Sequence, residues 1–430
     1  MSDFLSGITP DRLSGILFAL EGIRGAVVLL NGPTGCKFYH GATAGSQSLR
    51  DFEFDPLNYP EDWYFGQPRV PCTFLDSRDY VYGSKEKLLD AMAVIRRQEP
   101  FDLLCIVNSP GAALIGDDLA GIAREGLGNR PHLTIQTPGF SGSFSEGYES
   151  ALLALLRTLP PPAAPPEPKT VNLLGLSIFH RNWEGDLREV TRLLGLCGIQ
   201  VNCALGAGCS WAEYQALPRA ALNVVVHPEY GTALARNLHE RYGTPSQVCP
   251  HAPIGFDATE GFVRNVCAAL GADPAPALEE SARARARAYV FLSRLNSLTG
   301  LPKGVTCSVE GTWSEIHGYG GFLVSYLGLV LSCASVLDGT RTQAQPETLA
   351  FLERIHRREA LDADILETKS ELLFAGGGTI ARRKLLKHDF SGVEISLPTM
   401  GYNDVIPKTY LGTRGALALV EAVINGVMFS

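Results

Sequence analysis

The 430-residue chain is 45 % hydrophobic and 19 % charged, the balance of a globular protein. It exceeds the ~250–300 residues at which a single core stops growing. Its formal net charge of −8 argues against a nucleic-acid partner or an anionic membrane surface. No run reaches the ~18 consecutive apolar residues of a membrane span. The opening stretch MSDFLSGITPDRLSG lacks the basic flank and apolar run of a signal peptide. The sequence therefore reads as cytoplasmic, and its ten cysteines as reduced thiols that are mostly small buried hydrophobes.

In chain order, TPDRLSGILFAL places Asp11 as a helix N-cap. Val27 to His40, VVLLNGPTGCKFYH, reads as a buried strand that stops at a glycine-rich corner carrying Cys36. RVPCTFLD opens another strand-like run at Cys72. FDLLCIV, 101–107, is a strand, and GAALIGDDLAGIARE is the helix that follows its turn NSPG. LPPPAAPPEPK, 159–169, cannot propagate a helix or a central strand and reads as a stiff linker. VNLLGLS, 171–177, is a strand, and after it Leu187, Val190, Leu193, Leu194 and Cys197 share one helix face. LNVVV, 222–226, precedes the helix GTALARNLHERYG. A second boundary follows ALGADPAPALEE, 269–280, and leads into a long polar helix whose run SARARARAY reads as a solvated face or a docking patch for an acidic partner. LPKGVTCSV then leads into GTWSEIHGYGGFLVSYLG, and ELLFAG into GGTIARRKLLK. Apolar strands alternating with amphipathic helices predict parallel sheets covered on both faces. The expected architecture is α/β, with three Rossmann-like domains (1–160, 170–275 and 280–430) around a central cleft.

Ligands of open parallel sheets sit beyond the carboxyl ends of the strands, so each strand-to-helix turn is a candidate site. GPTGCK fails the P-loop spacing and lacks its hydroxyl residue after Lys37. GAGCSW is no dinucleotide fingerprint, and neither a Gly-x-Ser-x-Gly elbow nor His-Glu-x-x-His is present. Nucleotide binding and hydrolysis by this chain therefore lack a motif. What remains for Cys36 is soft-metal ligation, because a thiolate on a rigid glycine turn can reach a cluster without strain. One cysteine does not hold a cluster that takes four ligands, so other residues must contribute.

Asp11 to Cys36, DRLSGILFALEGIRGAVVLLNGPTGC, resembles the N-terminal segment of the nitrogenase component 1 superfamily. DYVYGSKEKLLDAM, PGAALIGDDL, TIQTPGFSGSFSEGYESAL and HAPIGFDATEGFVRNVCAALG are similar to further family segments and follow in the family's order. Matching these motifs puts the family's first cluster cysteine at Asp11, the second at Cys36 and the third at Pro110, which has no ligand atom. His227, in VVVHPEYG, falls where the family's alpha chain has its cofactor cysteine, and SLPTMGYNDVIPKTYLG offers no cofactor histidine. The chain thus resembles a beta-type subunit or a simpler reductase rather than one that reduces dinitrogen.

The resemblance implies an iron–sulfur cluster, expected as 4Fe–4S, at a subunit interface. The expected metal ligands are Cys36, Cys72 and Asp11, with Asn108 and Ser109 lining the cluster pocket. A homodimer would supply Cys36 and Cys72 twice. Alternatively, a heterotetramer with a paralogous alpha-like subunit would bring three further cysteines. His227 is expected either as a catalytic proton donor or metal ligand, or as an ordinary satisfied polar residue. His180, Asn182, Trp183, Glu315, His317 and Tyr319 are expected to face the same cleft. The implied function is reduction of an unreactive bond in a small-molecule substrate, with electrons from a separate ATP-dependent iron protein. A cofactor-assembly scaffold and a cluster-free structural paralogue are the alternatives.

Overall fold

The computed structural model describes residues 11–37, 70–98, 100–139, 141–337, 344–396 and 406–429. The end of the Cys36 stretch, residues 38–40, and most of SLPTMGYNDVIPKTYLG, residues 397–405, lie outside them.

Helix α1 (Arg12–Glu21) begins at Asp11, whose Oδ1 accepts the Ser14 N–H at 2.8 Å. Strands β1 (Ile23–Arg24) and β2 (Ala26–Asn31), helices α2 (Asp79–Tyr82) and α3 (Lys85–Gln98), β3 (Leu103–Asn108), α4 (Leu119–Leu127), β4 (His132–Ile135) and α5 (Phe144–Thr158) follow. β2, β3 and β4 form a parallel sheet in that order. Its side chains alternate as a two-residue period requires. Leu104 and Ile106 pack with Leu88, Met92 and Ile122 of α3 and α4, whereas Leu103, Cys105 and Val107 join the main core with α1 and α5. GAALIGDDLAGIARE is not one helix: a short 3-10 turn at Ala112–Leu114 ends before Gly116, and α4 starts afresh on the Asp118 cap, which accepts the Gly121 N–H at 2.9 Å.

The second sheet contains β5 (Glu167–Leu174), β6 (Gln200–Ala204), β8 (Ala220–Val225) and β9 (Ser246–Val248) in the parallel order β6-β5-β8-β9. Between its strands come α6 (Trp183–Leu196), the two-residue strand β7 (Cys209–Ser210), α7 (Trp211–Gln215) and α8 (Pro228–Tyr242), and α9 (Phe256–Leu270) follows β9. β7 pairs with β1, tying the first sheet's segment to the second. β5 starts at Glu167, inside the proline-rich run, and Pro168 is accommodated because the ladder to β8 shifts register between Glu167 and Val171.

Helix α10 (Ala275–Thr299) leads to β10 (Thr306–Gly311), α11 (Trp313–Gly320), β11 (Val330–Val336), α12 (Ala344–Arg354), β12 (Leu372–Gly376), α13 (Gly377–Leu385), β13 (Ser391–Ser396) and α14 (Gly412–Phe429). The third sheet runs β11-β10-β12-β13, again parallel. GGFLVSYLG departs from the expected helix: α11 widens into a π-helical turn at Gly321–Tyr326. One contiguous core runs from α1 through all three sheets to α14. No helix among the described residues is long and apolar enough to cross a membrane.

Candidate functional site

The glycine corner forms where β2 and β3 end side by side, with Asn31 opposite Asn108. Both asparagines are buried, and Asn31 Nδ2 donates to Asn108 Oδ1 at 2.9 Å and to Ser84 Oγ at 3.0 Å. Thr73 Oγ1 donates to Asn31 Oδ1 at 2.9 Å and accepts the Gly32 N–H at 3.0 Å. Leu30 N–H donates to Pro71 O at 2.9 Å, Thr73 N–H to Leu30 O at 3.1 Å, and Cys72 forms a parallel bridge with Leu30. Residues 71–73 therefore lie along the free edge of β2 and carry Cys72 to the corner. Cys36 sits there on a 3-10 turn, Thr34–Lys37, and Thr34 Oγ1 is 4.0 Å from Cys72 Sγ.

Four of the residues expected from the sequence to form the site meet at this corner. Burial pushes the half-buried Cys36 thiol above its usual pKa, the Ser109 hydroxyl opposes this as a hydrogen-bond partner, and Asp11 and Cys72 add smaller upward pushes. Asn108 stands behind them, its Oδ1 taken by Asn31 and its Nδ2 donating to the Gln136 carbonyl at 3.0 Å. Tyr80 is a further residue at this corner that sequence reasoning missed. Its hydroxyl also interacts with Cys36 and Ser109, and burial, ahead of the Cys36 charge, raises its pKa. The aromatic in DYVYGS is the available signal, but nothing local says that the helix there turns toward Cys36. Phe74, Val81, Tyr82 and Leu114, in the chain segments that adjoin this corner, are exposed apolar side chains. Phe74 holds a left-handed φ of 53°, which is uncommon for a bulky residue. Among the described residues, no three His, Cys, Asp or Glu side chains converge tightly enough to hold a metal ion.

His227 belongs to a different place, the carboxyl end of the second sheet. It precedes Pro228 at the start of α8 and is buried. Its ring lies 4.4 Å from that of His180, which in turn lies 5.0 Å from the Tyr230 ring. Burial lowers the His227 pKa to about 4, and burial followed by the neighbouring His227 depresses His180. Both imidazoles are therefore neutral at pH 7. His180 Nδ1 accepts the Ser177 N–H at 3.1 Å, which leaves the His180 proton on Nε2. That Nε2 and His227 Nδ1 are buried without a hydrogen-bond partner among the described residues.

The second and third sheets meet across this region. Glu229 accepts from Ser314 N–H at 2.8 Å and Ser314 Oγ at 2.7 Å, and the buried pair Arg181–Glu394 is 3.3 Å apart. Asp186 Oδ1 accepts from Thr409 Oγ1 at 2.7 Å and from the Tyr410 N–H at 3.1 Å. Burial raises Asp186 and Glu315 to about 7. Trp183 packs against Gly208, and Asn182 starts α6, its carbonyl accepting the Asp186 N–H at 2.8 Å. Tyr319 interacts with Glu315 and Asp186. His317 instead pairs with His251 at 4.4 Å and stacks on Phe351 of α12 at 4.8 Å.

The family model for nitrogenase component 1 type oxidoreductases matches residues 12–428. In Rhodospirillum rubrum, the B subunit of light-independent protochlorophyllide reductase is 32 % identical over 298 residues, covering 63 % of this chain and 53 % of that protein. Its namesake from Synechococcus sp. (strain WH7803) is 32 % identical over 386 residues, covering 84 % and 70 %. The chain spans about half the length of the first of these relatives. A solved structure, nitrogenase Cp1 at pH 6.5, shares the fold with a TM-score of 0.75 at 16 % identity, covering 98 % of this chain and 92 % of that one. With the motif order, the three parallel sheets and a family match over nearly its whole length, the chain belongs to the nitrogenase component 1 type oxidoreductases.

Proposed function

We propose that this chain is the beta-type iron–sulfur subunit of a nitrogenase-like reductase. It takes low-potential electrons from an ATP-dependent iron protein, works in the cytoplasm, and serves the reduction of an unreactive small-molecule bond other than dinitrogen. The convergence of Cys36, Cys72 and Asp11 with Ser109 on one half-exposed corner carries this reading. Two thiols and a carboxylate are a partial donor set, and no complete metal site closes within the described residues. The set fits a 4Fe–4S cluster shared with a second chain, either another copy or a paralogous alpha-like subunit. The exposed rim of Phe74, Val81, Tyr82 and Leu114 supports an interface there. When bound, such a cluster supplies one-electron transfer at a potential set partly by its burial. The chain's own residues hold it: Cys36 gives up its proton on binding, and the Ser109 hydroxyl steadies the resulting thiolate.

The relatives named for protochlorophyllide reduction support a tetrapyrrole double bond as the substrate class. His227 and His180 lie buried and neutral at the carboxyl end of the second sheet. We assign them to substrate binding, with His180 offering an Nε2–H and His227 an open Nδ1. The test is oxygen-free purification of the chain, alone and with a paralogous subunit, followed by iron and sulfide analysis and turnover with the iron protein. Wild type should carry iron that Cys36→Ala loses almost entirely. A preparation that stays iron-free after reconstitution, even with the partner, overturns this reading in favour of a structural paralogue. Passage of the cluster to an acceptor without turnover overturns it in favour of a scaffold.

A further inference from the structure

Helix α10 contains the SARARARAY run and has two unlike sides. Ala277, Ser281, Ala288 and Leu295 are buried, and the helix packs on α14, α9 and α6. Arg285 also turns inward. Its guanidinium bonds to Asp257 and, at 3.0 Å, to Glu260 of α9, and lies 5.1 Å over the Phe256 ring. The outward side carries Arg283, Arg287, Val290, Phe291, Arg294 and Leu298, whose spacing of three and four residues places them on one stripe.

Val290, Phe291 and Leu298 are 61 %, 54 % and 76 % exposed. Arg287 lies 5.9 Å over the Phe291 ring. From Ser281 to Val309 the sequence has no Asp or Glu, although the whole chain carries a net −8. Arg287 and Arg294 have no acidic partner among the described residues, and Arg283 reaches only Glu279 of its own helix, at 3.9 Å.

An apolar seam repeating at three and four residues is the surface into which a second helix packs. Arginine and aromatic residues are the types enriched at protein interfaces. The arginines here lie within the apolar stripe rather than on a separate polar face. A bilayer would have to bury them along with Val290 and Phe291, whereas a helix bearing carboxylates can pair with them. We propose that the outward stripe of α10 docks an amphipathic, acidic helix of a partner protein. Its apolar residues pack among Val290, Phe291 and Leu298, and its carboxylates pair with Arg287 and Arg294.

The probe is a pair of fluorescent helical peptides with leucines at three- and four-residue spacing, one flanked by glutamates and the other by lysines. Anisotropy is measured against the full chain. The glutamate peptide should bind, weaken with added salt, and bind at least tenfold more weakly to R287E/R294E. The lysine peptide should bind only that reversed variant. F291S should weaken the glutamate peptide while leaving the thermal unfolding midpoint unchanged, since the side chain is exposed. Equal binding of the two peptides, or binding of the glutamate peptide that is indifferent to charge reversal, overturns the proposal. So does failure of the glutamate peptide to bind while the chain sediments with phosphatidylglycerol vesicles.

Discussion

Cys36 is half-exposed, whereas the other nine of the ten cysteines are buried. A disulfide reagent attacks the thiolate, so a native titration of the metal-free chain should show one reactive thiol before unfolding releases the rest. Burial raises the pKa of that thiol and the Ser109 hydroxyl holds it back. Its rate should therefore keep climbing at pH values where an ordinary thiol has levelled off. Ser109→Ala should slow the reaction further at any fixed pH near 8. Two thiols reacting at equal rates, or a Ser109→Ala chain with the wild-type profile, would show that this corner is built differently. Asn108, one residue earlier, has its amide committed to Asn31 and Gln136. Its replacement by Ala should register first as lost stability of the strand ends.

At the level of elements, α1 and α5 cross in close contact just after Asp11. A Cβ on Gly15 would stand 2.1 Å from the Phe144 carbonyl oxygen, and one on Gly147 would stand 2.0 Å from the Arg12 carbonyl oxygen. Each helix therefore uses a glycine to admit the other's backbone, and backbone cannot move aside as a side-chain tip can. α5 is fixed at that point by the Ser143–Glu146 capping box, and Arg12 Nε donates to the Pro138 carbonyl at 2.7 Å. Overpacking of this kind costs about 1–3 kcal/mol. Gly147→Ala should lower the urea midpoint accordingly and, on the function proposed above, reduce iron content by pushing Arg12, and with it Asp11, off the corner. A variant with wild-type stability and iron content would show that the two helices have slack.

Across the whole molecule, the second and third sheets are joined by buried polar groups rather than by apolar contact alone. Asp186, Glu229 and Arg181 on one side meet residues 409–411, Ser314 and Glu394 on the other. Asp186 has an ordinary pKa of 3.8 and rises to about 7 when folded, through burial. Between those values the folded chain holds a proton that the unfolded chain has lost. Its contribution to stability is thus complete below 3.8 and disappears as the pH rises through 7. Asp186→Asn keeps an acceptor for Thr409 and Tyr410 but cannot ionise. Its denaturant midpoint should fall less than that of wild type between pH 5 and pH 8. Parallel pH profiles would mean that Asp186 is not the group titrating at this junction.

The parallel α/β architecture is legible in the chain, because alternating apolar runs and amphipathic periods are local properties that hold in any arrangement. Cys36 is legible too, since a thiol after a buried strand and a glycine turn shows within a few residues. What stands beside that thiol is a matter of three-dimensional neighbours. Cys72 arrives by pairing along the free edge of β2, and Ser109 arrives because β3 is the neighbour of β2. His180 meets His227 because β5 and β8 are adjacent. Periodicity likewise leaves Arg285 among the arginines of one polar run, and it is the position of α9 that shows it turning inward while Arg287 faces out. Spacing along a chain fixes which way a side chain points within its own element. Which elements become neighbours depends on sheet order and helix packing, and those are set by the burial of the whole core.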